Sequence, residues 1–271
     1  MSAPISAAVP SSDALVLASI ANGIGTITLN NSTRRNALSE ALLDQVITAL
    51  DDFKTKEVRV VILRAFEGAT VWSAGHDIKE LPQANQDPLG YSDPLERTLR
   101  AVRAFPAPII AMVHGSVWGG AFDLVASCDM IIADETCSFA ITPANLGLPY
   151  NTTGLMHFLG RLPINLVKEL FFTAAPIKGN DAYKWGIVNH LVPNAELEAF
   201  TTDFATKITK KAPLAIAVAK EQLRILTDYQ PIAAQIFEQL QEMRRTVYDS
   251  KDYTEGIQAF LEKRPAVFTG K

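Results

Sequence analysis

The pattern of apolar and polar residues predicts β-strands through the first two thirds of the chain. Residues 15–20 and 24–29 are strand-like, and Asn22-Gly23 between them suits a turn with positive φ, so we expect a hairpin. Continuous apolar runs predict further buried strands at residues 58–65, 109–113 and 130–133.

Segments with a helical apolar period separate these strands. Ser39 is placed to cap a helix whose apolar stripe consists of Leu42, Leu43, Val46, Ile47 and Leu50. Residues 95–104 and 120–126 predict two more helices. Because strand, loop, helix and strand recur in this order through Val192, the sequence predicts an α/β fold of repeated crossover units.

The strand pattern ends near Asn194. Helices are expected over 196–209, 213–226 and 231–247, so residues 195–271 are predicted to be a helical C-terminal section. We interpret it as an oligomer or lid element rather than a second catalytic domain. Residues 13–194 are then the core. Residues 1–12 are small and polar, which is typical of a disordered tail.

Composition narrows the class of protein. The chain has 271 residues, 48% of them apolar, and a net charge of −4, which gives no support to binding of nucleic acid or an anionic membrane. No apolar run reaches the roughly 20 residues that span a bilayer. Cys128 and Cys137 are too far apart for a CxxC pair, and the four histidines lack metal-ligand spacing. We therefore expect a cytoplasmic protein without a metal site.

Two glycine loops carry the candidate chemistry: Ser73-Ala74-Gly75-His76-Asp77-Ile78 and Gly115-Ser116-Val117-Trp118-Gly119-Gly120-Ala121-Phe122-Asp123. Each follows a strand-like run and precedes a helix-like one, so each could direct a backbone N–H into a shared pocket. Two such donors form an oxyanion hole, which stabilises negative charge on a carbonyl oxygen. Neither loop is a GxGxxG or GxxxxGK[ST] motif, so NAD and ATP are not indicated.

These loops, together with other motifs in order along the chain, resemble the crotonase (enoyl-CoA hydratase/isomerase) superfamily. The other motifs are Arg35-Asn36-Ala37-Leu38-Ser39, Ser138-Phe139, Pro143, Leu146-Gly147, Ala182-Tyr183-Lys184-Trp185-Gly186-Ile187-Val188-Asn189 and Glu255-Gly256-Ile257-Gln258-Ala259-Phe260-Leu261-Glu262-Lys263-Arg264. The resemblance implies a crotonase-like spiral of ββα units. It also implies C-terminal helices that build a homotrimer or a hexamer of two trimers.

The resemblance further implies a reaction on an acyl-CoA thioester. Hydratases of the family place two glutamates at the substrate, whereas this chain has Asp123 at the first position and, by alignment, Ala144 at the second. Residues 142–151 and 243–250 resemble decarboxylating members. We therefore expect decarboxylation of methylmalonyl-CoA to propionyl-CoA and CO₂ through a thioester enolate, with no cofactor beyond the CoA of the substrate.

Catalytic residues are expected at three positions. The amides of His76 and Gly120 are candidates for the oxyanion hole, and the hydroxyl of Tyr150 is a candidate for holding the leaving carboxylate. The imidazole of His76 could contact that carboxylate, donate a proton to C2, or serve packing alone. Asp123 is interpreted as a structural or supporting carboxylate. Asp77 is expected to cap the helix after the first loop, and His114, His157 and His190 are interpreted as structural.

For CoA, the resemblance implies that backbone groups around Ala37, Ala74 and Ile78 surround the adenine. Arg35 is a candidate partner for a CoA phosphate. Phe260 and Lys263 are candidates for reaching the nucleotide, from the same or a neighbouring subunit.

Two other functions remain open from the sequence. An enoyl-CoA hydratase or isomerase could use Asp123 as its single acid and base. A non-catalytic acyl-CoA-binding oligomer could retain the fold without the chemistry.

Overall fold

The computed structural model describes residues 14–81, 90–228 and 231–271, in which two β-sheets form the framework. The strands are β1 (Val16–Ala21), β2 (Ile24–Leu29), β3 (Val60–Ala65), β4 (Val71–Ser73), β5 (Ile109–Val113), β6 (Ser116–Trp118), β7 (Met130–Asp134), β8 (Ser138–Ala140), β9 (Ile177–Lys178) and β10 (His190–Val192). The helices are α1 (Glu40–Thr55), α2 (Pro94–Ala104), α3 (Gly120–Ser127), α4 (Thr152–Leu159), α5 (Ile164–Thr173), α6 (Gly179–Lys184), α7 (Leu197–Thr209), α8 (Pro213–Asp228), α9 (Ala234–Tyr248) and α10 (Lys251–Glu262).

In the middle of the chain, from β3 to β8, successive strands alternate between two sheets. The larger sheet has the order β1-β2-β3-β5-β7-β10, and the smaller has the order β4-β6-β8-β9. From β3 to β8, each pair of consecutive strands therefore adds one strand to each sheet before the chain enters a helix. Such crossovers require parallel pairing. The neighbours are parallel from β2 through β3 and β5 to β7 in the larger sheet, and from β4 through β6 to β8 in the smaller sheet. The predicted α/β fold of ββα units is confirmed.

The hairpin is confirmed at its predicted turn. Strands β1 and β2 pair antiparallel from Val16–Leu29 to Ala21–Ile24. Asn22 and Gly23 both have positive φ, at 53° and 76°, as a tight two-residue turn between right-twisted strands requires.

The predicted helix caps and stripes are also present. The Ser39 side chain accepts a hydrogen bond from the Leu42 N–H at the start of α1, whose buried face contains Leu42, Leu43, Val46, Ala49, Leu50 and Phe53. Ile47, expected in that stripe, is half-buried at its edge. Asp77 caps a short 3-10 helix, Ile78–Glu80, through the Lys79 N–H.

Several elements have no counterpart among the ranges expected from the sequence, and three of them bear on the site. Strands β4 and β6 each contain three residues and lie immediately before or inside the glycine loops. Helix α10 follows α9 and is capped by Ser250; its Gly256 packs against the backbone of Leu146, where a Cβ would lie 2.2 Å from the Leu146 carbonyl oxygen.

The core lies on both faces of the larger sheet. Val61 and Leu63 of β3 point into the main core, whereas Val60 and Ile62 point to the opposite face. That opposite face is covered by α7 through Leu197 and Ala205 and by neighbouring half-buried aromatic residues. This alternation is the period of two that a strand buried on both faces produces.

Helices carry the chain beyond β10, and the boundary between core and C-terminal section remains a prediction. The last strand in the described residues ends at Val192. The C-terminal helices leave large apolar side chains in solvent, including Leu214, at 81% exposure, and Leu226 on α8 and Met243 on α9. The expected tail, residues 1–12, lies outside the described residues.

Asn36 connects the segment after the hairpin to the smaller sheet. It is fully buried with φ of 50°, accepts a hydrogen bond from the Asn31 N–H (2.8 Å) and donates one to the Trp72 carbonyl (2.9 Å). Asparagine is one of the few residues that adopt this conformation readily.

Replacing Asn36 by alanine is therefore expected to destabilise the protein by about 2–4 kcal/mol, since two buried backbone groups lose their partners. Urea unfolding followed by circular dichroism measures this effect. Asn165→Ala, at an exposed position at the start of α5, is the control and should change stability by less than ~0.5 kcal/mol. Equal effects of the two substitutions would contradict the role given to Asn36.

Candidate active site

The two glycine loops are in direct contact. Strands β4 and β6 pair in parallel, which brings the loops that follow them side by side. At Gly75, which has φ of 86°, a Cβ would lie 2.4 Å from the Trp118 carbonyl oxygen and 3.4 Å from the Gly120 nitrogen. A Cβ at Gly120 would lie 3.6 Å from the His76 nitrogen. Glycine at both positions permits this close approach of two backbones.

The backbone nitrogens of His76 and Gly120 both lie at this junction. The Gly75 carbonyl accepts a hydrogen bond from the Leu38 N–H at 2.8 Å; because the peptide bond is trans, the His76 N–H points the opposite way. Gly120 is the first residue of α3, so its N–H has no helical acceptor. Neither N–H donates a hydrogen bond within the described residues. Two unused donors, of which Gly120 is at a helix N-terminus, can receive a negatively charged oxygen.

A cavity of about 80 Å³ opens at these donors. Its lining combines both glycine loops, the start of α2 and the segment between β8 and α4. The lining residues are Ala74, Gly75, His76, Ile78, Leu81, Leu95, Glu96, Gly119, Gly120, Asp123, Thr142, Pro143, Leu146, Leu148, Pro149, Tyr150 and Asn151. The structure thus brings together all three predicted catalytic residues, His76, Gly120 and Tyr150.

The His76 ring is held between two acceptors of the protein. Its Nδ1 lies 3.2 Å from the Asp77 carbonyl oxygen, and its Nε2 lies 3.7 Å from Asp93 Oδ2. Burial lowers the pKa of His76, but Asp93, the Asp77 carbonyl and Glu80 raise it more, so its pKa lies above the ordinary value. Because both ring nitrogens have acceptors, the geometry favours the backbone N–H over the imidazole as the group that contacts a ligand.

Asp123 is buried behind the cavity with a partner at each oxygen. The Tyr150 hydroxyl donates to Oδ2 at 3.0 Å, and His157 Nδ1 lies 2.8 Å from Oδ1. Burial, and then the Asp123 charge, raise the pKa of Tyr150 well above its usual value, so this side chain is a neutral phenol. His157 was interpreted as a structural residue, and the structure places it on a carboxylate of the candidate site.

Glu96 also lines the cavity, although no motif in the sequence pointed to it. It is 5% exposed, and its Oε1 accepts a hydrogen bond from the Asn151 side-chain amide. Burial, followed by the nearby Asp123 charge, raises the pKa of Glu96 to about 7. A glutamate in the first turn of an amphipathic helix is usually a solvated partner of the helix dipole, so only the tertiary packing reveals its position.

With Ala144 in the position of the second glutamate, we expected the site to lack a second carboxyl group. The segment around Ala144 does lack one, but the cavity as a whole does not. Ala144 is exposed on the short 3-10 helix Pro143–Leu146 and is not part of the cavity lining. Glu96 brings a carboxyl group into the cavity from α2 instead.

The residues predicted to bind CoA form two groups. Ala74 and Ile78 line the cavity. The segment with Arg35 and Ala37 lies next to them, since the Arg35 carbonyl accepts a hydrogen bond from the Ala74 N–H at 2.9 Å. The Arg35 side chain is exposed. Phe260 lines a separate groove that shares Leu146 with the cavity, and Lys263 is exposed at the end of α10. The two groups are thus on different sides of the 143–147 segment.

Two classes of site were searched for in the described parts of the chain. No group of three or more histidine, cysteine, aspartate or glutamate side chains there is arranged to hold a metal ion. No helix there is long and apolar enough to cross a membrane.

Comparisons with known proteins agree with this architecture. The methylmalonyl-CoA decarboxylase of Escherichia coli strain K12 is 50% identical over 249 residues, which cover 92% of this chain and 95% of that protein. A solved structure of methylmalonyl-CoA decarboxylase in complex with 2-nitronate-propionyl-CoA has a TM-score of 0.94 and 48% identity, covering 95% of this chain and 99% of that one. The mitochondrial enoyl-CoA hydratase domain-containing protein 3 of Mus musculus is 34% identical over 265 residues, covering 92% of this chain and 82% of that protein. A family model described as enoyl-CoA hydratase/isomerase matches residues 19–271. Since that match spans nearly the whole chain, the protein belongs to the enoyl-CoA hydratase/isomerase family.

Proposed function

We propose that this protein decarboxylates methylmalonyl-CoA to propionyl-CoA and CO₂ through a thioester enolate. The observation that carries the proposal is the 50% identity to the E. coli methylmalonyl-CoA decarboxylase over 92% of the chain. That range includes every residue that lines the cavity.

The N–H groups of His76 and Gly120 stabilise the enolate oxygen in this proposal. When the C–C bond to the carboxylate breaks, its electron pair moves into the thioester and places negative charge on the carbonyl oxygen. Both donors are already oriented and have no protein acceptor within the described residues, so no hydrogen bond must break. One donor of this kind typically contributes about 3–4 kcal/mol to the stability of the transition state.

Tyr150 holds the leaving carboxylate out of the thioester plane, where the breaking bond overlaps the carbonyl π system. Its hydroxyl proton is directed at Asp123 in the structure, so the hydroxyl turns from Asp123 to the substrate when the substrate binds. One carboxylate acceptor thereby replaces another, which keeps the cost of the exchange low.

The CoA portion passes over the first glycine loop in this proposal. Ala37, Ala74 and Ile78 present backbone groups to the adenine, and Arg35 binds a phosphate from its exposed position. No additional cofactor takes part, because the departing carboxylate supplies the electrons.

The protein forms a homotrimer, or a hexamer of two trimers, in this proposal. The exposed apolar side chains of α8 and α9, including Leu214, Leu226 and Met243, support burial against a second copy. Phe260 and Lys263, which lie apart from the other CoA candidates, contact the nucleotide from the side of α10. The protein acts in the cytoplasm, which agrees with Cys128 and Cys137 being buried free thiols.

Hydration of an enoyl-CoA is the second candidate function, and Glu96 is the observation that favours it. Asp123 and Glu96 supply two carboxyl groups from α3 and α2, as an acid and a base for adding water would require. Against it, both oxygens of Asp123 are engaged by Tyr150 and His157. The relatives that this chain resembles at 48–50% identity are decarboxylases by name.

Incubation with methylmalonyl-CoA and, separately, with crotonyl-CoA distinguishes these functions. We expect release of CO₂ and formation of propionyl-CoA from the first compound, and no loss of the enoyl thioester from the second. Hydration of crotonyl-CoA without CO₂ release would replace our proposal by the second candidate. Absence of both reactions, with retained binding of acyl-CoA, would indicate a non-catalytic binding oligomer.

Replacing Gly75 by alanine is expected to lower decarboxylation at least ~100-fold, because the new Cβ separates the two loops and their N–H donors. Gly68→Ala is a matched control. Gly68 also has a positive φ, 77°, but nothing lies within 4 Å of the added Cβ. Each substitution has the same backbone cost of about 1–2 kcal/mol, so comparable loss of activity in both would contradict the role of the loop contact.

Replacing Tyr150 by phenylalanine is expected to lower kcat by about tenfold to a hundredfold, the range for loss of one hydrogen bond to a charged group. Steady-state measurement of CO₂ release gives kcat and KM. Tyr183→Phe, at an exposed tyrosine, is the control. Turnover of the Tyr150 variant at the rate of the unmodified protein would show that the carboxylate is held elsewhere.

A further inference from the structure

We propose that Glu96 is the acid that donates a proton to C2 of the enolate. This inference rests on the proposed decarboxylation. That reaction leaves an electron pair on the thioester enolate, and the product forms only when C2 gains a proton. In the step, the Glu96 O–H bond breaks, the C2–H bond forms, and the O–H electron pair remains on the carboxylate of Glu96. One proton from solvent returns to Glu96 in each cycle, so no oxidant or other reactant is needed.

Glu96 lies close to the backbone donors that hold the enolate oxygen. Its neighbour Leu95 packs on the start of α3, where a Cβ at Gly120 would lie 2.7 Å from Leu95 Cδ2. The cavity is lined by Glu96 together with His76, Gly120 and Tyr150. The carboxyl group therefore opens into the same small space that receives the reacting carbons.

Two contacts fix the position of Glu96. Asp93 caps α2 by accepting from the Leu95 N–H at 2.8 Å and also faces the His76 ring, so the start of α2 is attached to the first glycine loop. Asn151 caps α4 with its side-chain oxygen, which accepts from the Thr153 N–H at 2.7 Å. The amide nitrogen of Asn151 is thereby directed at Glu96 Oε1. Since Oε1 accepts this hydrogen bond, the proton of the neutral acid is on Oε2.

The charges around Glu96 keep it protonated while substrate is bound. Asp123 on α3 and Asp93 at the start of α2 face it with negative charge, whereas His157 on α4 and Arg100 on α2 act in the opposite direction. The His76 ring lies across the same cavity. Burial and Asp123 dominate, so the pKa of Glu96 is about 7 without substrate. The carboxylate of methylmalonyl-CoA adds a further negative charge and raises this pKa again.

The other polar side chains at this end of the cavity are less suited to donate the proton. The Tyr150 hydroxyl turns to the substrate carboxylate in the proposed reaction, and its raised pKa makes it a weak acid. Asp123 keeps His157 at Oδ1, and both ring nitrogens of His76 face acceptors. Glu96 combines a transferable proton with a fixed position, as general acid catalysis requires.

Exchange of the C2 protons of propionyl-CoA with D₂O tests this inference. The experiment starts from the product, so its readout does not depend on the decarboxylation step. By microscopic reversibility, the acid of the forward reaction is the base that removes the C2 proton from the product. In the unmodified protein, exchange should increase as the pH rises through about 7, because Glu96 loses its proton there. Mass spectrometry of the recovered propionyl-CoA measures the rate.

Glu96→Gln retains an Oε1 that accepts from Asn151 but removes the titrating group. We expect it to lower exchange about 100-fold and to abolish the pH dependence near 7, in line with the typical contribution of a general acid or base. Its release of CO₂ from methylmalonyl-CoA should fall less than about tenfold, because C–C cleavage precedes the proton transfer and water protonates the enolate instead. Glu169→Gln, at an exposed position on α5, is the control and should leave both rates unchanged.

Two results for Glu96→Gln would overturn the inference while decarboxylation still stands. One is exchange at the rate of the unmodified protein. The other is an equal loss of exchange and of CO₂ release, which would indicate that Glu96 only supports the shape of the cavity. Absence of CO₂ release from the unmodified protein would instead overturn the proposed function, and this inference with it.

Discussion

The contact between the backbones of Gly75 and Trp118 is the constraint on which the candidate site depends. It sets the spacing of the His76 and Gly120 N–H groups, and it is possible because Gly75 carries no side chain. Several features hold the two loops in this contact: the parallel pairing of β4 with β6, the bridge from Leu38 to the peptide bonds around His76, and the buried Asn36. Much of the ββα framework thus positions two donors whose orientation is independent of side-chain rotamers.

Side chains from three successive helices form the second layer of the site. Glu96 comes from α2, Asp123 from α3 and His157 from α4, and each influences the protonation or position of the others. Burial, followed by the nearby Asp123 charge, favours the protonated form of Glu96 and raises its pKa to about 7. The neighbouring histidine and the phenol of Tyr150 surround the Asp123 carboxylate. Near neutral pH, Glu96 can therefore both hold and release a proton inside the cavity.

Features with local causes could be predicted from the sequence. The Asn22-Gly23 hairpin, the Ser39 cap and the helix that opens at Gly120 each follow from a few adjacent residues, and all three are present. The strands β4 and β6 were missed because three-residue strands have no resolvable period. Helix α10 was missed because Gly256 interrupts its apolar pattern, and that glycine is explained by a contact with Leu146 more than 100 residues away. Glu96 and His157 could not be assigned for a similar reason: their partners, Asn151 and Asp123, are distant in sequence and meet them only in the folded chain.

In the candidate site the hydrogen-bond donors are backbone N–H groups, whereas the acids are side chains. This division has an evolutionary consequence. No point mutation removes a peptide N–H except one to proline, so the proposed stabilisation of an enolate by the His76 N–H persists through most substitutions at that position. Glu96, Asp123 and Tyr150, in contrast, act through their side chains, so a single substitution at any of them removes the functional group itself. Such an arrangement lets a lineage change the fate of the enolate while its formation is preserved, and related proteins can diverge in reaction type with little change of scaffold.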